Sequence, residues 1–423
     1  MNSLKGKKLL VLGGAPNEFT LVTRARELGV YVIVADYHTD YTLSPAKNLA
    51  NEAWTISWSD LDALEQKCRE EKVDGVLAGY SEIRMEMVIR LCQRLGFPCY
   101  CNMEQLDITR DKVQFKEACR RSGVPVVKEY ACVDDVDQYP VIVKPVDRAG
   151  SIGISVATNR EELDRAYAYA MDMSLRKQVI IEKYITDATK VDVYYQIVNG
   201  EVFFISGNDV INAKDNGTDR VVQSAWLLPS IHLSQFKEKV DASMRDMIRA
   251  MDIQNGYVFF SGFADKQGEF VFFESGFRLC GGHYYDYFHR LGGYQTLDML
   301  ISFALTGAVA AGRHSQPDPQ LKCVTLNLYA KAGTIASISG MDEVQKIPGC
   351  ILALTHARVG QVCRDDVAIL SKLAIIHLCG HDEHTLAENV KKVYELVDVR
   401  STEGEDMIYD RVDPEMISCW WNA

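Results

Sequence analysis

The feature that most narrows the fold is the alternation of short apolar runs with amphipathic segments across the first hundred residues. Lys8–Leu12 and Tyr31–Ala35 are near-continuous Leu/Val/Ile runs, the pattern of parallel strands buried on both faces. Between them, residues 19–28 carry apolar side chains at helical spacing until Gly29 stops them. Residues 60–71 read as an amphipathic helix, 75–78 as a strand and 82–95 as another helix. Such alternation implies a doubly wound parallel sheet, which binds ligands at the carboxyl ends of its strands. Gly13, Gly14 and Tyr80-Ser81-Glu82 fall there.

That glycine turn is not a dinucleotide fingerprint. Gly13-Gly14-Ala15-Pro16-Asn17-Glu18 has Glu18 where G-x-G-x-x-G needs its third glycine, and one acid at a strand end, Asp36, is a common feature. Charge argues against nucleic acid, since 46 Lys and Arg against 58 Asp and Glu leave −12 and backbone binding needs a basic surface. One small phosphate site needs only a few local cations. The 12 cysteines include no C-x-x-C pair, so buried free thiols in a reducing compartment are expected, with no disulfide framework or zinc ribbon. The apolar run after Lys8 is too short for a signal peptide or a membrane span. A cytoplasmic protein without a membrane partner is expected.

At 423 residues the chain exceeds one ordinary core. After about Asn102 its texture changes from α/β to α+β. Residues 107–122 read as one helix with Asp111-Lys112 inside it, and residues 140–145 as a strand ending on Lys144-Pro145. A loop with Gly150, Ser151 and Gly153 follows, then a helix over 161–174 and a strand over 179–185. Hairpins are expected over 191–205, turned at Asn199-Gly200, and over 256–273, turned at 265–268, with Glu274 at the second strand's end. A third unit begins near Cys323, with strands at 324–328, 351–354 and 374–377 and a closing helix at 383–396; residues 315–319 are the best linker. The apolar end, Cys419-Trp420-Trp421, is expected to pack down or meet a partner.

Three strand ends carry chemistry. Lys144 beside Gly150-Ser151-Ile152-Gly153 sets a mobile positive charge next to a loop whose N–H groups can approach an anion. No Gly-Lys-Ser/Thr follows, so this is not a Walker loop. Glu182-Lys183-Tyr184-Ile185 is a strand running into a linker, whose free backbone groups can meet an adenine edge, with Asp192 available for ribose hydroxyls. Glu274, four residues before Arg278, pairs a candidate Mg²⁺ carboxylate with a candidate phosphoryl-binding cation.

Taken in order, Asp111-Lys112, Val143-Lys144-Pro145, Gly150–Gly153, Glu182–Ile185, Val191-Asp192 and Glu274-x-x-x-Arg278 resemble the ATP-grasp superfamily. Its members include biotin carboxylase, carbamoyl phosphate synthetase and carboxylate–amine ligases. The resemblance implies a Rossmann-like pre-ATP-grasp domain over 1–103, an ATP-grasp domain over 104–315 with a mobile lid at about 124–182, and a small C-terminal α/β domain over 320–423. It implies that Lys112 and Lys144 contact ATP phosphates, with Ser151 to Gly153 folding over them. Glu182, Lys183, Tyr184 and Ile185 would take adenine, Asp192 ribose, Glu274 magnesium and Arg278 the phosphoryl group. The implied reaction joins a small carboxylic acid to an amine through an acyl phosphate, with ATP and Mg²⁺; a homodimer is compatible with it. Two positions depart from the pattern: Gly276 replaces the Asn of E-x-N-x-R, and Gly262 stands where another acidic ligand is expected. They motivate the alternative of an ATP-binding module with weak or lost catalysis.

Overall fold

Four parallel strands open the chain in the computed structural model, which describes residues 4–147, 153–213, 222–309, 317–364 and 371–422. They are β1 (Lys8–Leu12), β2 (Tyr31–Ala35), β3 (Glu52–Trp54) and β4 (Gly75–Leu77), in the order β3-β2-β1-β4. Only β3, three residues long at the sheet edge, carried too little pattern to be seen in the sequence. Helices α1 (Phe19–Glu27), α2 (Leu61–Glu71) and α3 (Glu82–Leu95) alternate with the strands as expected. Leu9 to Leu12 and Val32 to Ala35 are fully buried, which is why both runs are apolar throughout.

The single helix expected over residues 107–122 is two, α4 (Met103–Arg110) and α5 (Lys112–Arg121). Asp111 breaks them: its backbone is extended, and its carboxylate accepts from the N–H groups of Val113 and Gln114. An aspartate that caps a new helix ends the old one. Lys112 is therefore the first residue of a helix, not an interior one.

A small antiparallel sheet follows, built from β5 (Glu129–Tyr130), β6 (Val141–Pro145), β7 (Ser155–Ala157) and β8 (Val179–Lys183) in the order β5-β8-β6-β7. Helix α6 (Arg160–Met173) covers one face, and Val141, Val143, Leu163, Ala170 and Ile181 form a separate core between them.

Next come β9 (Ala188–Val198), β10 (Glu201–Asn212) and β11 (Gln223–Leu228), helices α7 (Leu233–Lys239) and α8 (Asp241–Ala250), then β12 (Gly256–Asp265) and β13 (Phe270–Gly276). Helices α9 (Tyr285–Gly292) and α10 (Thr296–Thr306) lead to β14 (Lys322–Tyr329), β15 (Gly333–Ser339), α11 (Met341–Val344), β16 (Cys350–Thr355), β17 (Val362–Cys363) and β18 (Lys372–Gly380). The chain then forms α12 (Glu383–Leu396), β19 (Asp398–Ser401) and α13 (Pro414–Cys419). Eight strands make one sheet, β13-β12-β9-β10-β11-β14-β18-β16, and β17-β15-β19 make a small one. The large sheet runs unbroken from the hairpins to the C-terminal strands. The linker expected at 315–319 begins outside the described residues. Trp420 and Trp421 fold back, their indole N–H groups donating to the Asp209 carboxylate and the Pro229 carbonyl. All twelve cysteines are free thiols, and no described helix is long and apolar enough to cross a membrane.

Candidate functional site

The small sheet supplies a buried charge cluster. Strand β8 lies antiparallel to β6 with Glu182 opposite Ile142. One oxygen of the Glu182 carboxylate meets the Lys144 ammonium and the other meets the Lys116 ammonium. Lys116 is fully buried and also holds Glu129 at 2.8 Å. It lies one helical turn beyond Lys112, so α5 presents both lysines on one side. Sequence reasoning missed Lys116; its four-residue spacing from Lys112 was the available signal. Burial, then the nearby ammoniums of Lys116 and Lys112, pushes Lys144 down to about 7. Three ammonium groups this close repel one another, and an added anion relieves the repulsion. The Lys144 ammonium also stands 5.2 Å over the Phe273 ring of β13, so the small sheet meets the large one here.

On the large sheet a β-bulge sets the opposite wall. Ser261 pairs with Glu274 and Gly262 with Phe272, which leaves Phe273 as an extra residue in β13. Opposite Glu274, therefore, stands Ser261 rather than Gly262. Ser261 donates to Asp192 Oδ1 at 2.6 Å, and the Asn208 amide donates to Asp192 Oδ2 at 3.2 Å. Since Ser261, Asp192 and Asn208 pair in register, Glu274-Ser261-Asp192-Asn208 forms a polar row across β13, β12, β9 and β10. The Glu274 carboxylate is exposed. Ser261 was not anticipated, although a glycine inside a strand pattern, Gly262, is a bulge signal.

The two departing glycines have packing reasons. A side chain at Gly276 would run into the Phe259 ring at 2.5 Å, and one at Gly262 would meet the Val271 carbonyl oxygen at 2.5 Å. Phe259 fills the space of the missing asparagine and carries the Arg278 guanidinium 5.3 Å above its ring. Arg278 Nε donates to Glu82 Oε1 at 2.6 Å, so the start of α3 holds it in place.

At the strand end beyond Glu182, the N–H groups of Lys183 and Tyr184 donate to the carbonyls of Lys128 and Pro140. Among the described residues the Ile185 N–H has no backbone partner, so it is one donor open to a ligand. Gly153 is buried with φ +75°, and a Cβ there would strike Pro145 and Met173 at 2.6 and 2.8 Å. Its glycine is required by the loop folding back on β6 and α6. Ser151 lies outside the described residues.

At the strand ends of the first sheet the glycine turn is filled by the chain itself. A Cβ on Gly13 would meet the Arg84 guanidinium at 1.9 Å, and one on Gly14 the Ser44 hydroxyl at 1.8 Å. The Arg84 and Ser44 side chains pack directly on this turn. Arg84 reaches the fully buried Glu18 at 3.0 Å, whose carboxyl burial pushes up to about 7 against that arginine. A cavity of about 560 Å³ opens next to this wall, lined by Thr20, His283, Tyr285, His289, Leu352 and His377 among others. His283, Tyr285 and His289 thus face the cavity, whereas Tyr284 and Cys280 are buried in the aromatic cluster behind it.

For magnesium the donors are few. Among the described residues no group of three or more His, Cys, Asp or Glu can hold a metal ion. The exposed Glu274 carboxylate, with Ser261 and Asp192 along its row, fits an ion that takes most of its oxygens from nucleotide phosphates and water. It does not fit an ion held by protein groups alone.

Residues 111–284 match the family described as carbamoyl-phosphate synthase L chain, ATP binding domain. The chain is 24% identical over 191 residues to the formate-dependent phosphoribosylglycinamide formyltransferase of Sulfurisphaera tokodaii, covering 42% of this chain and 47% of that protein. It is 25% identical over 306 residues to the 2-oxoglutarate carboxylase small subunit of Hydrogenobacter thermophilus, covering 66% and 62%. The chain thus spans about half the length of the formyltransferase relatives it matches. In fold it resembles the L-amino acid ligase of Bacillus licheniformis, with TM-score 0.74 and 17% identity over 94% of this chain and 99% of that one. The phosphoribosylglycinamide synthetase of Anaerococcus prevotii is similar, with TM-score 0.73 and 17% identity over 94% and 100%.

Proposed function

From the premise that the chain carries an ATP-grasp domain, we propose that it is an ATP-dependent ligase joining a small carboxylic acid to an amine. The observation that carries this reading is the gathering of Lys144 and Lys112, with Lys116 buried behind them, close to Glu274 of the large sheet. Adenine would enter against the Ile185 N–H, and the phosphates would lie along the lysines. Arg278, held by Glu82 and Phe259, would face the transferred phosphoryl group. Mg²⁺, brought by the nucleotide onto Glu274, would neutralise phosphate charge. A substrate carboxylate oxygen attacks the γ-phosphorus and ADP leaves; the amine then attacks the acyl carbon, phosphate leaves and the nitrogen loses a proton. This chemistry is mainly positioning and charge neutralisation, which a lysine wall and an oriented arginine supply.

The reading is tested by incubating the chain with ATP, Mg²⁺ and a panel of acids with amines, following ADP and phosphate. Release that depends on both substrates is expected, with loss of at least a hundredfold in Arg278→Lys and of ATP binding in Lys144→Ala. A binding-only module, the reading that Gly262 and Gly276 favour, would bind ATP and release no phosphate with any pair. Intact ATP affinity in Lys144→Ala would remove the site assignment itself.

A further inference from the structure

The segment between α3 and α4 gathers thiols. Cys92 is buried in the last turn of α3, and Gly96 reverses the chain there with φ +70°. The Phe97 N–H closes that turn on the Cys92 carbonyl at 2.9 Å. Two residues later Cys99, partly exposed, has come back to the helix end: its sulfur accepts from the Cys92 thiol and from the Cys101 N–H. Cys68 of α2 lies beside Cys92, and all four cysteines pack in one core cluster.

The four are not alike. Two donors on one sulfur favour its thiolate, and these bonds, the one from Cys92 foremost, hold the Cys99 thiol below its ordinary value in spite of burial. The same contact, with burial, pushes the Cys92 thiol up. Burial pushes Cys101 up as well, and Cys68 to about 12. A cysteine that only fills the core behaves like Cys68. A partly exposed thiol poised as thiolate, with a second thiol in contact, has the makeup of an attacking and a resolving cysteine.

This thiol pair stands close to the support of Arg278. Tyr100, next to Cys99, donates to Met85 Sδ of α3 at 3.1 Å and meets the Phe277 ring edge-on at 5.4 Å. Phe277 is fully buried and directly precedes Arg278. The contact has no slack, since a Cβ on Gly256 would strike Phe277 at 2.3 Å and Tyr100 at 3.2 Å. Glu82, at the other end of α3, holds Arg278 itself.

We propose that Cys99 and Cys92 form an oxidant-sensitive pair that a peroxide closes to a disulfide. The Cys99 thiolate attacks one oxygen of hydrogen peroxide, the O–O bond breaks and hydroxide leaves, taking up the proton Cys99 had lost. The Cys92 sulfur then attacks the sulfur of the Cys99 sulfenic acid; the S–S bond forms, the S–O bond breaks, and the thiol proton leaves with that oxygen as water. Two thiols are oxidised and one peroxide is reduced to two waters. Bonded sulfurs lie about 2 Å apart, so closure draws Cys99 toward α3 and Tyr100 with it against Phe277. On the ligase reading, on which this consequence rests, closure slows the step that Arg278 serves.

The test treats the reduced full chain with hydrogen peroxide, blocks free thiols with iodoacetamide and weighs tryptic peptides without reduction. Cleavage after Arg90, Arg94 and Arg110 puts Cys92 on residues 91–94 and Cys99 on 95–110. These two peptides should appear linked and two hydrogens lighter than the separate pair, in wild type and Cys101→Ser but not in Cys99→Ser. In Cys92→Ala oxidation should stop at a Cys99 sulfenic acid that dimedone traps, which decides the matter if Cys99→Ser does not fold. Oxidised wild type should bind ATP unchanged and release phosphate at least fivefold more slowly with an acid–amine pair, and dithiothreitol should restore the rate. Absence of the linked product, or its loss in Cys101→Ser, overturns the pair. Linkage with unchanged phosphate release overturns its effect on turnover. No release from the reduced chain with any acid–amine pair counts against the ligase reading, and with it that effect, while the linked peptides leave the pair standing.

Discussion

Titrating the chain with ATP at several pH values isolates the contribution of Lys144. In the free protein burial and two neighbouring ammoniums hold it at about 7, against 10.5 for an ordinary lysine. A triphosphate in contact favours the charged form and restores most of that difference. At pH 8.5 the free side chain is almost wholly neutral and the bound one charged, so binding takes up about one proton. Affinity should accordingly fall about tenfold per pH unit between pH 8 and 10. Calorimetry in two buffers of different ionisation enthalpy measures the uptake directly. Lys144→Met should bind weakly and take up no proton. Zero uptake by the wild-type chain at pH 8.5, or equal uptake by the variant, refutes the placement of Lys144 against phosphate. The same shift has a stability sign. Between about 7 and 10.5 the unfolded chain binds the Lys144 proton and the folded chain does not, so this residue makes stability rise with pH across that window. The difference between wild type and Lys144→Met should change by up to about 5 kcal/mol from pH 7 to 10.5.

Other substitutions read neighbouring parts of the account. Glu18 is held near 7 rather than 4.5 by burial, so its charge costs stability above pH 7 and nothing below 4.5; Glu18→Gln should raise the unfolding free energy by about 2–3 kcal/mol at pH 8 and leave it unchanged at pH 4.5, measured in urea. Lys116→Met leaves the buried Glu182 with Lys144 alone and should destabilise the chain by about 3 kcal/mol, read as a lower denaturation midpoint. The Gly276→Asn side chain collides with Phe259 and should cost about 1–3 kcal/mol, whereas adding Phe259→Ala should recover most of that loss in the same denaturation assay. Glu274→Gln should weaken the Mg²⁺ dependence of ATP binding without changing metal-free ATP affinity, checked by titration with and without EDTA.

Much of this architecture was readable because the first sheet buries its strands on both faces, which forces unbroken apolar runs at Leu9 to Leu12 and Val32 to Ala35. Lys144, Glu182, Glu274 and Arg278 were legible from their order at strand ends. The rest depended on contacts that spacing does not encode. Asp111 looked like one acid within a helix, and only its bonds to Val113 and Gln114 reveal a cap. The bulge at Phe273 moved the register by one residue, turning an expected acid at Gly262 into a hydroxyl at Ser261. Gly276 read as a lost ligand, yet Phe259 occupies that space and supports Arg278. Lys116 was one lysine among 46 basic residues, and its burial against Glu182 and Glu129 distinguishes it.

The most direct test of the ligase reading follows an oxygen atom. An acid labelled with ¹⁸O in its carboxylate is incubated with the chain, ATP, Mg²⁺ and an amine, and the released phosphate is weighed by mass spectrometry. Passage through an acyl phosphate leaves one carboxylate oxygen on the phosphate when the amine displaces it, so singly labelled phosphate in equal amount to the amide product is the predicted result. Phosphate released without the label, or no phosphate released with any acid–amine pair while ATP still binds, would contradict the account.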